Sequence, residues 1–357
     1  MADTPPPDAK GQTVSADEDG LRIDRWLKQH IPDLPFGQVQ KLLRTGQIRI
    51  DGHRAKTGTR LEASQEVRLP PSLRPGGEGV LNRASTATKP APKPAPKISA
   101  GEIKDLQARV IYRDDEILVL DKPAGLAVQG GSGLSHHLDG MLDGLRFDAP
   151  ERPRLTHRLD KDTSGVLVLA RTRAAARWVT EGFRRKTIRK LYWAAVAGVP
   201  EIAQGRIRLK LGKKRGAGGQ EKMDADAEDA KRAETLYRIV DRVGRKAAAW
   251  LAMEPVTGRT HQLRAHALAM ETPILGDGKY GGTEAFPDLP VKIRMLHLHA
   301  RRIVIKHPSG RVIDVVAPLP PHMAETWKAS QGGTPSIASC GIVPPVAVSL
   351  LHLRVLR

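Results

Sequence analysis

The period of apolar and polar positions changes along this chain, and the changes mark out its organisation. Ile23, Trp26, Leu27 and Ile31 recur at helical spacing, with Arg22, Arg25 and Lys28 around them, and predict an amphipathic helix. A second helix follows. Pro35 suits its first turn, Phe36, Val39, Leu42 and Leu43 make its apolar face, and Gly46 suits the left-handed position beyond its end. The period then falls to two: "QIRIDGHR" alternates Ile48 and Ile50 into an Asp51-Gly52 turn, and "EVRLP" adds a short strand. Residues 20–78 therefore read as a small α/β module. Residues 1–19 lack apolar periodicity and read as a disordered leader, while residues 79–106 alternate Pro, Ala and Lys and read as an extended linker.

Residues 107–325 have a different pattern. "EILVLDKPAGLAV" is a strand-like run ending in a Pro-Ala-Gly loop, and "GVLVLA" (165–170), "LYWAAVAG" (191–198), "ETLYRIV" (234–240) and "AAAWLAME" (247–254) predict further strands. "RAAARWVTEGFRR" predicts a helix, 260–270 another, and "LHLHARRIVIKHPSGRVIDVVAP" a hairpin about Pro308, Ser309 and Gly310. Such a mixture implies an α+β domain around a mainly antiparallel sheet. Residues 326–357 form a tail to which the sequence assigns no role.

At 357 residues and 40% hydrophobic positions the chain can fill more than one core. Its 58 Lys and Arg against 39 Asp and Glu leave a formal charge of +19, a field that attracts phosphate backbones or anionic membranes, with nucleic acid the expected partner. Residues 21–70 share in this, with ten Lys and Arg against five Asp and Glu. No run of eighteen apolar residues and no signal-peptide pattern occurs, so no membrane association is expected and the cytoplasm is the expected location. The single cysteine, Cys340, excludes an intrachain disulfide and a cysteine-based zinc cluster. "QGGSG" at 129–133 lacks the features of a phosphate-binding Walker loop, and no GxGxxG joins a strand to a helix, so no nucleotide cofactor is expected.

Three stretches could carry chemistry. "RLTHRLDKDTSG" (154–165) crowds charge in front of an apolar strand. Its Asp, Thr, Ser and Gly are turn formers and could merely reverse the chain; alternatively, an aspartate kept ionised by a cation there is a usable nucleophile or base. "PVTGRTHQLRAH" (255–266) places a Thr-Gly turn before a helix whose Leu263, Ala267 and Met270 face the core, while His261 and Arg264 share another face that could present Arg264 to Asp160. His261 and His266 are five apart, a poor spacing for one metal ion, and His297 and His299 are expected to line a sheet, so no metal is expected. "RRKTIRKLYWAAVAG" (184–198) leads five cations into a strand on which Tyr192 is the one proton donor of its face, or else a core tyrosine with its hydroxyl at the rim. The basic segment before it and "IRLKLGKKRGAGG" after it read as surfaces that touch a backbone, or as solvated hairpin tips.

Taken in order, "HRLDKDTSG", "RKLYWAAVAG" and "PVTGRTHQLRAH…PILGDGKYGG" resemble the three motifs of the large-ribosomal-subunit pseudouridine synthases, over nearly all of residues 107–320. "DKPAGLAVQGGSGL" resembles the C-type branch, which acts on the peptidyl-transferase region, and the 20–78 module resembles a small RNA-binding domain first described in a ribosomal protein. The resemblance implies a pseudouridine synthase fold, isomerisation of specific uridines in large-subunit ribosomal RNA, no metal or cofactor, and a monomer. By motif position it implies Asp160 as the catalytic aspartate, Arg264 as the cation paired with it, and Arg158 as the residue that flips the base. Tyr192 is implied beneath the uracil and is the nearest candidate to take the C5 proton. Whether Asp160 attacks the sugar or removes a proton from it stays open. RNA contacts are expected from Arg22, Arg25, Lys28, Lys41, Arg44 and Arg49 in the first module and from Arg185, Lys190, Arg259 and His261 in the second. The competing reading is a non-catalytic RNA-binding assembly protein. Against it stands Asp160, since an acidic group within a phosphate-attracting surface weakens binding. The chain departs from the family's pattern in "SHHLDGMLDGLRFDAPERP" and in the tail.

Overall fold

The structure, a computed structural model, describes residues 11–32, 34–73, 98–130, 136–215, 221–224, 227, 229–243 and 247–331. They fall into two compact units, Met1–Lys93 and Pro94–Arg357. Most of the expected linker and tail lie outside the described residues.

The first unit comprises β1 (Gln12–Thr13), α1 (Ile23–His30), α2 (Phe36–Arg44), β2 (Arg49–Ile50), β3 (His53–Arg54) and β4 (Glu66–Arg68), with the strands ordered β1-β4-β2-β3. Ile23, Trp26 and Leu27 of α1 and Val39, Leu42 and Leu43 of α2 bury against Ile48, Ile50 and Val67, as a helical face on an alternating sheet requires. Phe36 does not join them and stays exposed, because the buried stripe of α2 begins one turn later. Asp51 and Gly52 both take positive φ (46° and 77°), the conformation of a tight two-residue hairpin turn. Part of the expected leader is folded. Gln12 and Thr13 pair with Val67 and Glu66, Val14 is buried, and Glu18 bonds His30 at 2.6 Å, so residues 11–19 are folded where short apolar periods gave no signal.

The second unit comprises α3 (Ala100–Ala108), β5 (Val110–Arg113), β6 (Ile117–Lys122), α4 (Leu138–Met141), β7 (Arg154–Leu155), β8 (Ser164–Ala170), α5 (Arg173–Arg185), β9 (Arg189–Ala197), β10 (Gln204–Arg215), β11 (Glu221–Asp224), β12 (Lys231–Val243), β13 (Ala248–Pro255), α6 (Gln262–Ala269), β14 (Leu298–Lys306), β15 (Val312–Val316) and α7 (Pro321–Gln331). Two boundaries shift from expectation. Ser99 and Glu102 form a capping box that starts α3 inside the expected linker, and Leu106 anchors that helix in the core. Trp327 of α7, beyond the expected end at 325, stacks on Trp193.

One sheet runs β11-β10-β12-β13-β9-β14-β8-β6-β5, with β15 beside β14 and β7 beside β8. Its centre is buried on both faces. Tyr192, Ala194 and Val196 of β9 join the core shared with α5 and α6, while Leu191, Trp193 and Ala195 pack with Met323 and Trp327 of α7. Both faces being apolar is why these strands read as continuous runs in the sequence. All the named pairings are antiparallel except β8 with β14, where His299 and Ala300 lie opposite Ser164 and Gly165. Gly165 has φ +105°, and a Cβ added there would sit 2.3 Å from the Ala300 carbonyl oxygen. Only glycine admits this approach. Among the described residues no helix is long and apolar enough to cross a membrane.

Gly165→Ala is expected to cost more than about 3 kcal/mol through the combined clash and positive φ. Thermal denaturation should show a fall of roughly 10 °C, and an unchanged melting curve would refute the close contact. Asp121, next to the buried end of β6, has its carboxyl pushed up to about 6 by burial, against the pull of Arg109, Arg301 and Lys122. A folded-state value above the unfolded one means that ionisation opposes folding: the penalty is absent below about pH 4 and complete above about pH 6. Asp121→Asn should therefore stabilise the protein by about 1–2 kcal/mol at pH 8, after discounting for partial exposure, and by almost nothing at about pH 3.

Candidate active site

Two loops and one strand enclose a cleft of about 640 Å³, counting its open mouth. The first wall is the 156–163 loop between β7 and β8. Thr156 Oγ1 donates to the Val168 carbonyl at 2.7 Å, and the Val168 N–H donates to His157 Nε2 at 2.8 Å. His157 is thus an acceptor, and burial pushes its imidazole down to about 3, so it is neutral in the range where proteins function. Below the loop, Lys122 is fully buried and donates to the carbonyls of Pro123 and Leu126 at 2.8 Å and of Lys161 at 3.0 Å. An ammonium has three protons, and all three are used. Burial pushes this amine down to about 8 while Asp162 and Asp160 oppose the shift. Lys122 therefore pins the end of β6 to the loop, leaving Asp160 half-buried at the cleft and Asp162 exposed outside it.

The second wall, residues 255–261, is built around Gln262. Its Oε1 accepts from Thr257 Oγ1 at 2.6 Å and from the Arg259 N–H at 3.1 Å; its Nε2 donates to the Glu234 carbonyl at 2.8 Å and to Thr235 Oγ1 at 2.9 Å. A buried side-chain amide has four hydrogen-bonding positions, and here every one is filled. The loop is held to β12 accordingly, with Arg259 presented at the rim.

Lys190 and Tyr192, two apart on β9, form the floor. Burial and the negative charge of Asp160 push the Tyr192 phenol up, so it keeps its proton at neutral pH. This opposes the expectation that Tyr192 takes a proton from carbon; the group suits stacking and hydrogen-bond donation. Burial pushes the Lys190 ammonium down, and it lies 5.5 Å from the centroid of Phe183.

Arg264 is placed differently from expectation. It is a cleft residue, but its guanidinium pairs with Asp277 and not with Asp160: Nε to Oδ2 at 2.7 Å and Nη2 to Oδ1 at 2.6 Å, both side chains nearly inaccessible. Asp277 reaches α6 because Gly276, at φ +76°, lets the chain press against the Met295 carbonyl. Spacing along the sequence cannot rank two aspartates as partners for one arginine. Beside Asp160 is His261, with Nε2 4.0 Å from Oδ2. The Met223 N–H donates to the Tyr280 hydroxyl at 2.9 Å, and that hydroxyl is also hydrogen-bonded to His261 Nδ1 at 3.1 Å. Burial pushes this imidazole down, Asp160 opposing.

The cleft thus gathers Asp160, Arg158, Tyr192, Arg264, Lys190, Arg259 and His261. Arg185 is not among them; it ends α5 and pairs with Glu181. In the first unit Arg22, Arg25, Lys28, Lys41 and Arg44 are exposed on or beside α1 and α2, while Arg49 is half-buried and donates to the Gly46 and Gly52 carbonyls at 3.1 Å. Lys122, Asp277, Tyr280 and Gln262 went unassigned in the sequence. Lys122 had left a trace, a charge at the end of an apolar run. Among the described residues no three His, Cys, Asp or Glu side chains converge on a metal-sized space. The arrangement offers one accessible carboxylate, a neutral phenol beneath and cations around the mouth, which suits a flat polar ring on an anionic chain.

The profile of the RNA pseudouridylate synthases matches residues 116–269. The chain is 36% identical to the ribosomal large subunit pseudouridine synthase C of Salmonella typhimurium and of Escherichia coli K12, over 88% of its own length and 95% of theirs. It is 35% identical to the protein of that name in Vibrio cholerae, over 88% and 95%. Among solved structures, human RNA pseudouridylate synthase domain containing 4 is similar over 64% of this chain and 94% of that one, with TM-score 0.52 and 27% identity. Human RNA pseudouridylate synthase domain containing 1 is similar over 63% and 89%, with TM-score 0.51 and 27% identity.

The buried pair yields a double-mutant cycle. Arg264→Met and Asp277→Leu should each cost about 3–5 kcal/mol, since each leaves a buried charge without its partner, and the double variant should recover most of that loss. Additive losses in urea denaturation would show that the pair is not coupled.

Proposed function

The chain belongs to the RNA pseudouridylate synthase family, and we propose that this enzyme isomerises specific uridines of large-subunit ribosomal RNA to pseudouridine in the cytoplasm. The observation that carries the reading is Asp160: a half-buried carboxylate in a cleft whose other charged groups are mostly cations. A surface that only held RNA would be weakened by it.

A uridine stacked in RNA must leave the stack before its glycosidic bond can be reached, at a cost of a few kcal/mol. Arg158, exposed at the rim, is suited to occupy the vacated position. The uracil then lies over Tyr192, whose ring supplies an apolar floor and whose retained proton supplies a donor. Asp160 assists cleavage of the N1–C1′ bond, by attack on the sugar or by taking a proton from it; the freed uracil turns, C5 bonds to C1′ as the bond to Asp160 breaks or the sugar proton returns, the C5 proton passes to water, and N1 gains a proton. No redox step is involved, since the product is an isomer. Arg264, its charge balanced and its geometry fixed by Asp277, lines the cleft as a held guanidinium. The exposed cations of α1 and α2 make the first unit a second RNA contact.

With large-subunit RNA carrying tritium at uridine C5, the protein is expected to release label to water. Asp160→Asn should lower release by at least 10³-fold while RNA binding persists. Binding by the wild type without release would leave only an RNA-binding protein.

A further inference from the structure

The exposed face of the sheet beside the cleft carries an arrangement that the sheet itself does not need. Along β10, Arg206, Arg208 and Lys210 occupy alternate positions and so share one face. On β12, Lys210 lies opposite Arg232 and Arg208 opposite Glu234. Cations set directly across from one another, as Lys210 and Arg232 are, weaken a sheet. One carboxylate answers the group. Glu234 meets Arg232 at 2.7 Å, Arg206 at 3.0 Å and Arg208 at 3.6 Å, with its own side chain only 7% exposed against 68% for Arg232 and 54% for Arg208. The negative charge is thus beneath and the positive charge on the outside. Lys210 has no ion partner among the described residues.

The ladder is joined to the cleft. Arg259 Nε donates to the Arg232 carbonyl at 3.3 Å, and the Glu234 N–H donates to Thr257 Oγ1 at 2.8 Å, so the residues that build the second wall also fix the start of the ladder. Arg259 extends the line of guanidiniums to the rim. Two residues of a strand advance about 6.6–6.8 Å, so the repeat is on the scale of a nucleotide in an extended strand.

We propose that the β10–β12 face is a track for the sugar-phosphate backbone of the RNA strand as it leaves the cleft. The occupant is a polyanion continuous with the target uridine, bound through phosphates and without base readout. Glu234 aligns the guanidiniums and a buried acid cannot compete for the solvent side, where phosphates bind. A phosphate lying over the like-charge pair would offset its repulsion. This inference rests on the proposed action on RNA.

The test uses the full chain and an RNA fragment containing a substrate uridine, with affinity measured by filter binding across a salt series. Arg208→Gln with Lys210→Gln should make the slope of log affinity against log salt shallower by about 1 to 1.5, near 0.7 per lost single-strand phosphate contact. Arg208→Lys with Lys210→Arg, which keeps both charges, should retain the wild-type slope. An unchanged slope in the Gln variant overturns the track, and so does an equal loss in the charge-keeping variant, which would indicate disturbed packing. Tritium release by the wild type separates the two ideas: no release defeats the synthase reading, whereas release together with an unchanged slope defeats the track alone.

Discussion

The parallel contact between Gly165 of β8 and Ala300 of β14 is the joint on which the second unit depends. It is two residue pairs long, and it connects the β6–β8 half of the sheet to the β9–β13 half. Ala300 is in turn opposite Tyr192, and Tyr192 opposite Met253, so a single row crosses the sheet from the end of the 156–163 loop to the strand that leads into the 255–261 loop. The register of that row decides which side chain lies beneath the cleft. A slip of one residue would turn Tyr192 to the α7 side and bring Trp193 into its place. Hence a glycine without a side chain to offer governs where the aspartate and the tyrosine meet.

Charge in this cleft is divided by depth. Beneath the walls, Lys122 meets carbonyl oxygens under the 156–163 loop and Arg264 meets Asp277, and neither can leave its partners without exposing a desolvated group. At the mouth, Arg158 and Arg259 are exposed. Between the two layers are Asp160 and His261, 4.0 Å apart and more weakly engaged. Deep charges give the walls their shape, and shallow ones remain available to a polyanion. The same layering recurs at Glu234, where the acid is inside and the arginines are outside.

Much of this was legible in the sequence. The long strands and α5 are visible because burial on both faces, or on a 3.6-residue stripe, leaves a period that composition cannot disguise. The three motifs located the cleft, since residues such as Asp160 and Tyr192 stand in segments whose turn and strand character is local. What could not be read depends on contacts distant in the chain. Asp277 competes with Asp160 for Arg264 because of a glycine approach to Met295, and β1 exists because Glu66 and Val67 offer it an edge. Two-residue strands have no period to detect, so the folded part of the leader was hidden. The raised phenol of Tyr192 likewise follows from its surroundings, not from its place in a motif.

The saturation of Gln262 has a consequence for anyone who would redesign this enzyme for another base. Glutamate there would lose both donors, and asparagine would lack the reach, so the position offers an engineer no conservative exchange. Its neighbours differ: a Cβ added at Gly258 meets nothing within 4 Å, and Thr260 is exposed. A library that keeps Thr257 and Gln262 and diversifies residues 258 and 260 would alter what the wall presents while leaving its frame in place. The wall is a cassette with two fixed bolts.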